Sequence, residues 1–379
     1  MSLTDEQRAL RDAVRALLAR QQRRPTARDR GTCAHGHGQS GYDQGGYDQS
    51  LWQRLCGEIG IAGLAVPECY GGAGAGPVET HVAAEELGRD LTPSPMIGSA
   101  VLAAQALLAS GDSAACRRLL PPIADGTAIA ALAWTGSDGH WDPGEVACHA
   151  ATAATPGDWV LNGAAHHVLD GAAADVLLVA ARMPDGVGLF DVDPRHSGVT
   201  RSAVTTMDGT RELAIVELKD VPGRRIGERA ALAHVRDLAC IALSAEQVGA
   251  AQRALERTVA YTQIRVQFGR PIGGFQALQH RMADLHVLVE SARSLSYAAA
   301  TAAAEGAPDL GLRAAAAKVY CSEAALRVAG EMIQMHGAIG ITWEHEAHRY
   351  LKRAHGAAQI LGQPSEHVAR IAAALIDRH

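Results

Sequence analysis

Aromatic side chains make up only 4% of the 379 residues, with three phenylalanines among them. Alanine runs such as Ala314–Ala317 are frequent instead, and small side chains let helices approach closely, so the composition leans towards a helix-rich protein. No uninterrupted apolar run reaches the roughly 20 residues that a spanning helix needs. A sustained basic stripe is absent too. Thirty-five basic against 41 acidic residues leave a net charge of −6, which speaks against a nucleic-acid or anionic-membrane partner on electrostatic grounds. The seven cysteines, at 33, 56, 69, 116, 148, 240 and 321, are odd in number and lack CxxC spacing. Such a pattern suits reduced thiols in a cytoplasm better than a disulfide frame or a zinc site. The opening stretch MSLTDEQRALRDAVRALLAR is charged throughout and has no continuous apolar core, so it does not read as a signal peptide.

What is present is a chain with 47% hydrophobic and 20% charged residues, enough to pack two or three domains. Leu10, Val14, Leu17 and Leu18 share one helical face near the start, with Thr4 or Asp5 able to cap. Residues 31–50 break the pattern with glycine, glutamine and aspartate, and repeat Gly-Tyr-Asp-Gln at 41–44 and 46–49; a surface loop is expected there. His35 and His37 lack nearby carboxylate or thiol partners for a metal. Helical signals resume at Leu51 and run past Pro67 and the glycine cluster Gly71–Gly76. From about Ala128 to Lys219 the apolar segments become short and are separated by Gly, Pro and Asp, which reads as a β-domain. Long helical periods return from about Glu228, where Val248, Ala251, Leu255 and Val259 line one face. The spacing predicts an α+β chain: helices over 1–126, a β-barrel or sheet over 127–226, and a four-helix bundle over 227–379.

Two stretches of the last third are distinctive: residues 261–284, YTQIRVQFGRPIGGFQALQHRMAD, and residues 334–348, QMHGAIGITWEHEAH. Together they resemble the two signatures of the acyl-CoA dehydrogenase family, and the helix–β–helix order extends the resemblance over the whole chain. It implies FAD and the α,β-desaturation of an acyl thioester, in which a carboxylate takes the α-proton and the β-hydrogen leaves as hydride. Carried over residue by residue, Arg265, Phe268 and Gln276 would meet the FAD of a neighbouring subunit, a guanidinium fork suiting its diphosphate. Gln334 and Gly337 would receive the other end of the dinucleotide. Ser137 lies within Gly136-Ser137-Asp138, a run like the Gly-Ser-Asp ending of the family's flavin-binding segment, and Leu169 stands where the family's Trp-Ile-Thr strand offers a threonine to the flavin ring, with His167 in the tryptophan's place. Contacts made across a subunit boundary imply a tetramer.

The departures from the family are informative. Its usual base, a glutamate in a Glu-Gly-Thr run, falls at Leu361, followed by Gly362 and Gln363. The family's other base position falls at Ala239. Glu246 is the substitute candidate on the same helical face, but two turns displace it by about 10 Å, and ion pairing is its better reading. Thr342-Trp343-Glu344-His345 and Lys352-Arg353-Ala354 resemble an actinobacterial branch in which two such chains form a mixed tetramer acting on CoA esters of steroid side chains or similar acids. In that branch one chain carries the base and the other completes the FAD site. The resemblance thus implies a subunit working with a homologous chain, with electron-transferring flavoprotein as acceptor. Three alternatives stand beside it. One is a self-sufficient homotetramer using Glu246 or another carboxylate. Another is a repurposed flavin oxidase or oxygenase acting on a carrier-bound acyl group, which the altered His167 and Leu169 would suit. The last is a non-catalytic scaffold.

Overall fold

The computed structural model describes residues 3–22, 46–153, 158–227 and 231–376; His35, His37 and the first Gly-Tyr-Asp-Gln run lie outside them. The first helix, α1 (Asp5–Gln22), opens with a reciprocal cap. Gln7 N donates to Thr4 Oγ1 (3.2 Å) and Thr4 N to Gln7 Oε1 (3.1 Å), so two otherwise orphaned donors are satisfied. Its buried stripe is Val14, Leu17 and Leu18. Asp48 caps α2 (Gln49–Arg54), and Pro77 opens α3 (Pro77–Arg89). A wide-turned segment, Met96–Ala103, runs into α4 (Ala104–Ala109), and Asp112 caps α5 (Ser113–Ala124).

Seven strands follow: β1 (Ala130–Ala133), β2 (Cys148–Thr152), β3 (Trp159–Leu169), β4 (Val176–Met183), β5 (Gly186–Val192), β6 (Val199–Val204) and β7 (Leu213–Ile226). Pairings β4–β2, β2–β3, β3–β7, β7–β5 and β5–β4 close a ring, with β1 added parallel to β4 and β6 antiparallel to β7. Closure removes the exposed edges that a ring strand would otherwise offer to other chains. Leu161, Ala165, Val179, Phe190 and Val216 fill the interior.

The last third holds α6 (Leu232–Ile264), a hairpin of β8 (Val266–Gln267) and β9 (Arg270–Pro271), then α7 (Gln276–Ala304), α8 (Leu310–His336), α9 (Ala347–Gln359) and α10 (Pro364–Ile376). Three helices are long. The fourth place in the bundle is shared by α9 and α10, because Gly362 and Pro364 stop one and start the other. The first and last thirds meet where α3 crosses α6 at backbone contact. A Cβ at Gly249 would run into the Glu85 carbonyl oxygen, and one at Gly88 into that of Glu246, so both positions need glycine.

Candidate active site

The end of β3 is bent. Its pairing with β7 shifts between Ala165 and Val168, and within that bulge His167 has φ +55°, which turns its ring out of the sheet. The bulge is held from the loop after β1, since His166 N donates to Thr135 O (2.8 Å) and Thr135 Oγ1 donates to His166 O. That loop continues through Ser137, Asp138, Gly139 and Trp141. It is tied to the helical layer by Arg236, which donates to Trp141 O (3.3 Å), and by His140 against Glu366 (3.3 Å).

Between these pieces lies a cleft of about 490 Å³. Ser137, Asp138, Gly139, Trp141, His167 and Leu213 wall one side; Met207, Asp208 and Arg211 form its middle; His355, Gln359, Ile360 and Gln363 close the other. His167 is held neutral below the ordinary imidazole range, first by burial and then by neighbouring His166. Its Nδ1 is buried without a partner, as is Trp134 Nε1 beside Trp141. A flat ring with hydrogen-bonding edges matches such a cleft.

Behind it lies a cluster of buried charges drawn from three segments, the loop before β7, α6 and α9. Glu246 Oε1 accepts from Arg211 (2.5 Å) and from Arg353 (2.7 Å). Arg353 also donates to Thr210 Oγ1 (2.9 Å) and Thr210 O (3.1 Å) and lies 3.5 Å from Asp208. Burial opposes ionisation of Asp208, but Arg353 and the Thr210 hydroxyl outweigh it and hold the carboxyl below its ordinary range. Arg211 is pushed down, chiefly by burial and then by Arg353. A chamber of about 10 Å³, room for about one water, opens beside Leu169, Asp170, Arg211, Glu212 and Arg353. Burial pushes the Asp170 carboxyl up to about 7, with Arg211 opposing and Glu212 adding to the effect.

Of the residues singled out in the sequence, Ser137 lies on the cleft, and Leu169, buried, lies on the chamber. Leu361 and Ala239 are both fully buried. Glu246 faces the arginines and is not part of the cleft wall.

The remaining group sits on other surfaces. Phe268 and Gly269 form a two-residue turn with φ +52° and +76°, the geometry that matches the twist of a tight hairpin. Phe268 is 91% exposed, its ring edge-on to Phe275, over which Arg270 lies at 4.1 Å. The exposed Arg265 guanidinium makes no hydrogen bond or ion pair among the described residues. Gln276 is exposed as well. Gly337 ends α8 with φ +64° and ψ −146°, a conformation for glycine, next to exposed Gln334. Tyr261, at the end of α6, stacks on His336 at 4.2 Å, and His345 packs on His336 at 4.4 Å. The two sequence signatures therefore meet in space, and His336 Nε2 there is buried without a partner.

Sequence reasoning did not single out Asp208, Arg211, His355, Gln359 or Trp141. The polar run Asp208-Gly-Thr-Arg211 between two apolar strands was the available signal. Among the described residues no group of three or more His, Cys, Asp or Glu is placed to hold a metal, and no helix is long and apolar enough to cross a membrane.

An FAD fits this layout. His167 and Ser137 on the cleft would hold its ring, and the exposed Arg265, Phe268, Gln276, Gln334 and Gly337 would serve the nucleotide end of an FAD bound by a neighbouring subunit. Comparison with known proteins identifies the family. Family models described as acyl-CoA dehydrogenase N-terminal domain and C-terminal domain match residues 4–127 and 230–376. The acyl-CoA dehydrogenase IpdE2 of Mycobacterium tuberculosis is 38% identical over 377 residues, 98% of each chain. Among solved structures, a variant of the steroid acyl-CoA dehydrogenase Tcur3481–Tcur3483 superposes with a TM-score of 0.85 at 32% identity over 98% of both chains. The ChsE4–ChsE5 complex from Mycobacterium tuberculosis superposes with a TM-score of 0.84 at 28% identity, covering 99% of this chain and 98% of that one. The chain belongs to the acyl-CoA dehydrogenase family of FAD-dependent oxidoreductases.

Proposed function

We propose that this chain is the base-lacking subunit of a mixed acyl-CoA dehydrogenase tetramer, which introduces an α,β double bond into a CoA-bound or carrier-bound acyl thioester. One observation carries the reading. Both positions where the family places its base hold buried aliphatic side chains, Leu361 and Ala239, while the nucleotide-facing residues are intact and exposed. Glu246 does not replace the base, because the oxygen it presents is committed to two guanidinium groups. A homologous chain then supplies the carboxylate. Two of the solved relatives are named as pairs of chains, which supports such an assembly.

Bound FAD supplies the electron sink for the β-hydride. This chain's own residues position and shield. His167 offers a neutral ring face, and the peptide after the bulge offers its N–H to the ring edge. Arg265 meets the diphosphate, and Phe268 covers the nucleotide of the neighbouring subunit. The assembly is a tetramer of the cytoplasm, and electron-transferring flavoprotein is the acceptor.

The test is the visible spectrum of the chain purified alone, with its mass in solution from the same sample. Little or no flavin alone, and stoichiometric flavin on co-expression with a base-bearing dehydrogenase-like chain, supports the reading. A flavin-saturated homotetramer of this chain contradicts it.

A further inference from the structure

The residue at the place of the absent base is held in an unusual way. Leu361 is fully buried, yet its φ is +61°, and Gly362 follows at +98°. A bulky residue stays in left-handed backbone only where its surroundings over-determine it, and such positions cluster at functional sites. The surroundings here are specific. The Leu361 carbonyl accepts from His367 Nε2 (2.9 Å), with the Cys240 thiol at 3.8 Å. On the other side of the ring, Arg370 reaches His367 Nδ1 at 3.0 Å and Asp237 Oδ1 at 2.8 Å.

The direction of these bonds follows from chemistry. A guanidinium has donors only, so Nδ1 is the nitrogen with the lone pair. Nε2 therefore carries the hydrogen, and a carbonyl can only accept it. The chain Asp237–Arg370–His367–Leu361 has one consistent assignment, running from α6 through α10 to the turn. One helical turn earlier, Lys318, itself fully buried, donates to Ala357 O (2.9 Å) and Ala358 O (3.1 Å). A cation at the C-terminal end of α9 also complements the helix dipole. The segment so gripped carries Gln359, Ile360 and Gln363, which are one wall of the cleft.

We propose that Asp237, Arg370 and His367 form a positioning relay that locks the Leu361–Gly362 turn and presents Gln359 and Gln363 to the ring bound in the cleft. The inference rests on the reading of that cleft as the flavin-ring site. In this chain the turn that elsewhere in the family carries the base is a fixed polar wall, and its side-chain amides do the binding. The imidazole works only as the neutral form. Facing it are Cys240, Arg236 and Asp237 from α6, Lys318 from α8, and Glu366 and Arg370 from its own helix. Burial first, then the cations Lys318, Arg370 and Arg236, hold its pKa down at about 3 against the pull of the Leu361 carbonyl. The relay accordingly stays closed from pH 5 to pH 8.

The experiment uses the full chain, with its partner where assembly requires one, and FAD as the probe. Nitrogen-15 imidazole spectra, with His367 assigned by difference from His367→Gln, give the tautomer, and fluorescence titration gives the FAD Kd. The expected results are a single Nε2–H tautomer without titration between pH 5 and 8, and a wild-type Kd flat within twofold over that range. Arg370→Met removes the donor that fixes Nδ1 as the lone-pair nitrogen, so the neutral ring can take either tautomer and FAD binds at least fivefold more weakly than to wild type at pH 8. His367→Gln, whose amide N–H can still reach the carbonyl, stays within threefold of wild type, whereas His367→Leu weakens FAD at least tenfold. An Nδ1–H tautomer or an imidazolium in the wild type overturns the proposal. So does an Arg370→Met variant whose FAD affinity follows wild type at every pH. Should His367→Leu fail to fold, Arg370→Met and His367→Gln decide. If the wild type binds no FAD in any assembly, the flavin reading of the cleft falls, while the tautomer still tells whether the relay exists.

Discussion

Asp170 gives the sharpest test of the electrostatics behind the cleft. The residue is 8% exposed and lines the small chamber, and burial pushes its carboxyl pKa up from 3.8 to about 7. An acid whose pKa is higher folded than unfolded favours the native state fully below the unfolded value. That contribution is lost as pH rises through the folded value. Three units at about 1.4 kcal/mol each put the difference between pH 4 and pH 8 at about 4 kcal/mol. Asp170→Asn keeps the shape and removes the titration. Wild type and variant should therefore have similar stability near pH 4 and diverge upwards, the variant being more stable at pH 8 by about 2–4 kcal/mol. All other carboxylates are common to both proteins and cancel in the difference. Urea unfolding at pH 4, 5, 6, 7 and 8 measures it. Parallel profiles for the two proteins across that range would falsify the reasoning, because they would mean that Asp170 is charged in the native state at no cost.

Three further outcomes follow from the packing and the exposed surfaces. Arg353→Met removes one guanidinium from Glu246 and the partner of Asp208, so it should cost about 3–5 kcal/mol in urea unfolding; a loss below about 1 kcal/mol would show that the cluster is not held as a unit. Gly249→Ala should push α3 off α6, because the obstacle is a backbone carbonyl that cannot rotate away. It should lower the thermal midpoint far more than Gly330→Ala on α8, where a Cβ meets open space, and equal effects would contradict the close crossing. Phe268→Ala should leave the stability of an isolated chain within about 0.5 kcal/mol, while light scattering shows weaker assembly and absorbance shows less retained flavin.

The layered fold was largely legible in the sequence because burial imposes periods. Val248, Ala251 and Leu255 recur at helical spacing and are all buried on α6, and the short apolar runs at Val176 and Leu213 are strands of the ring. Arg265 and Gly337 were legible as local motifs, since a hairpin and a helix end are built from neighbours in the chain. The charge cluster was not. Arg211, Glu246, Arg353 and Asp208 come from a loop and two helices, and nothing local in any of them signals the others. The same holds for the relay, where Asp237 and Arg370 lie 133 residues apart. His167 read as an ordinary strand residue or a ring-stacking one until the bulge fixed its direction, because a register shift depends on the partner strand as much as on the strand itself. Gly362 and Pro364 mark the break between α9 and α10, but its consequence, a cleft wall, depends on the neighbouring elements.

The most direct test of the central claim is flavin bleaching by a panel of acyl-CoA esters under anaerobic conditions. It would compare the chain alone, reconstituted with FAD, with the mixed assembly containing a base-bearing homologue. The account predicts no bleaching by the chain alone, rapid bleaching by the mixed assembly, and unchanged bleaching when that assembly carries Glu246→Gln in a properly folded chain. Turnover by the chain alone that Glu246→Gln abolishes, with FAD still bound, would contradict it.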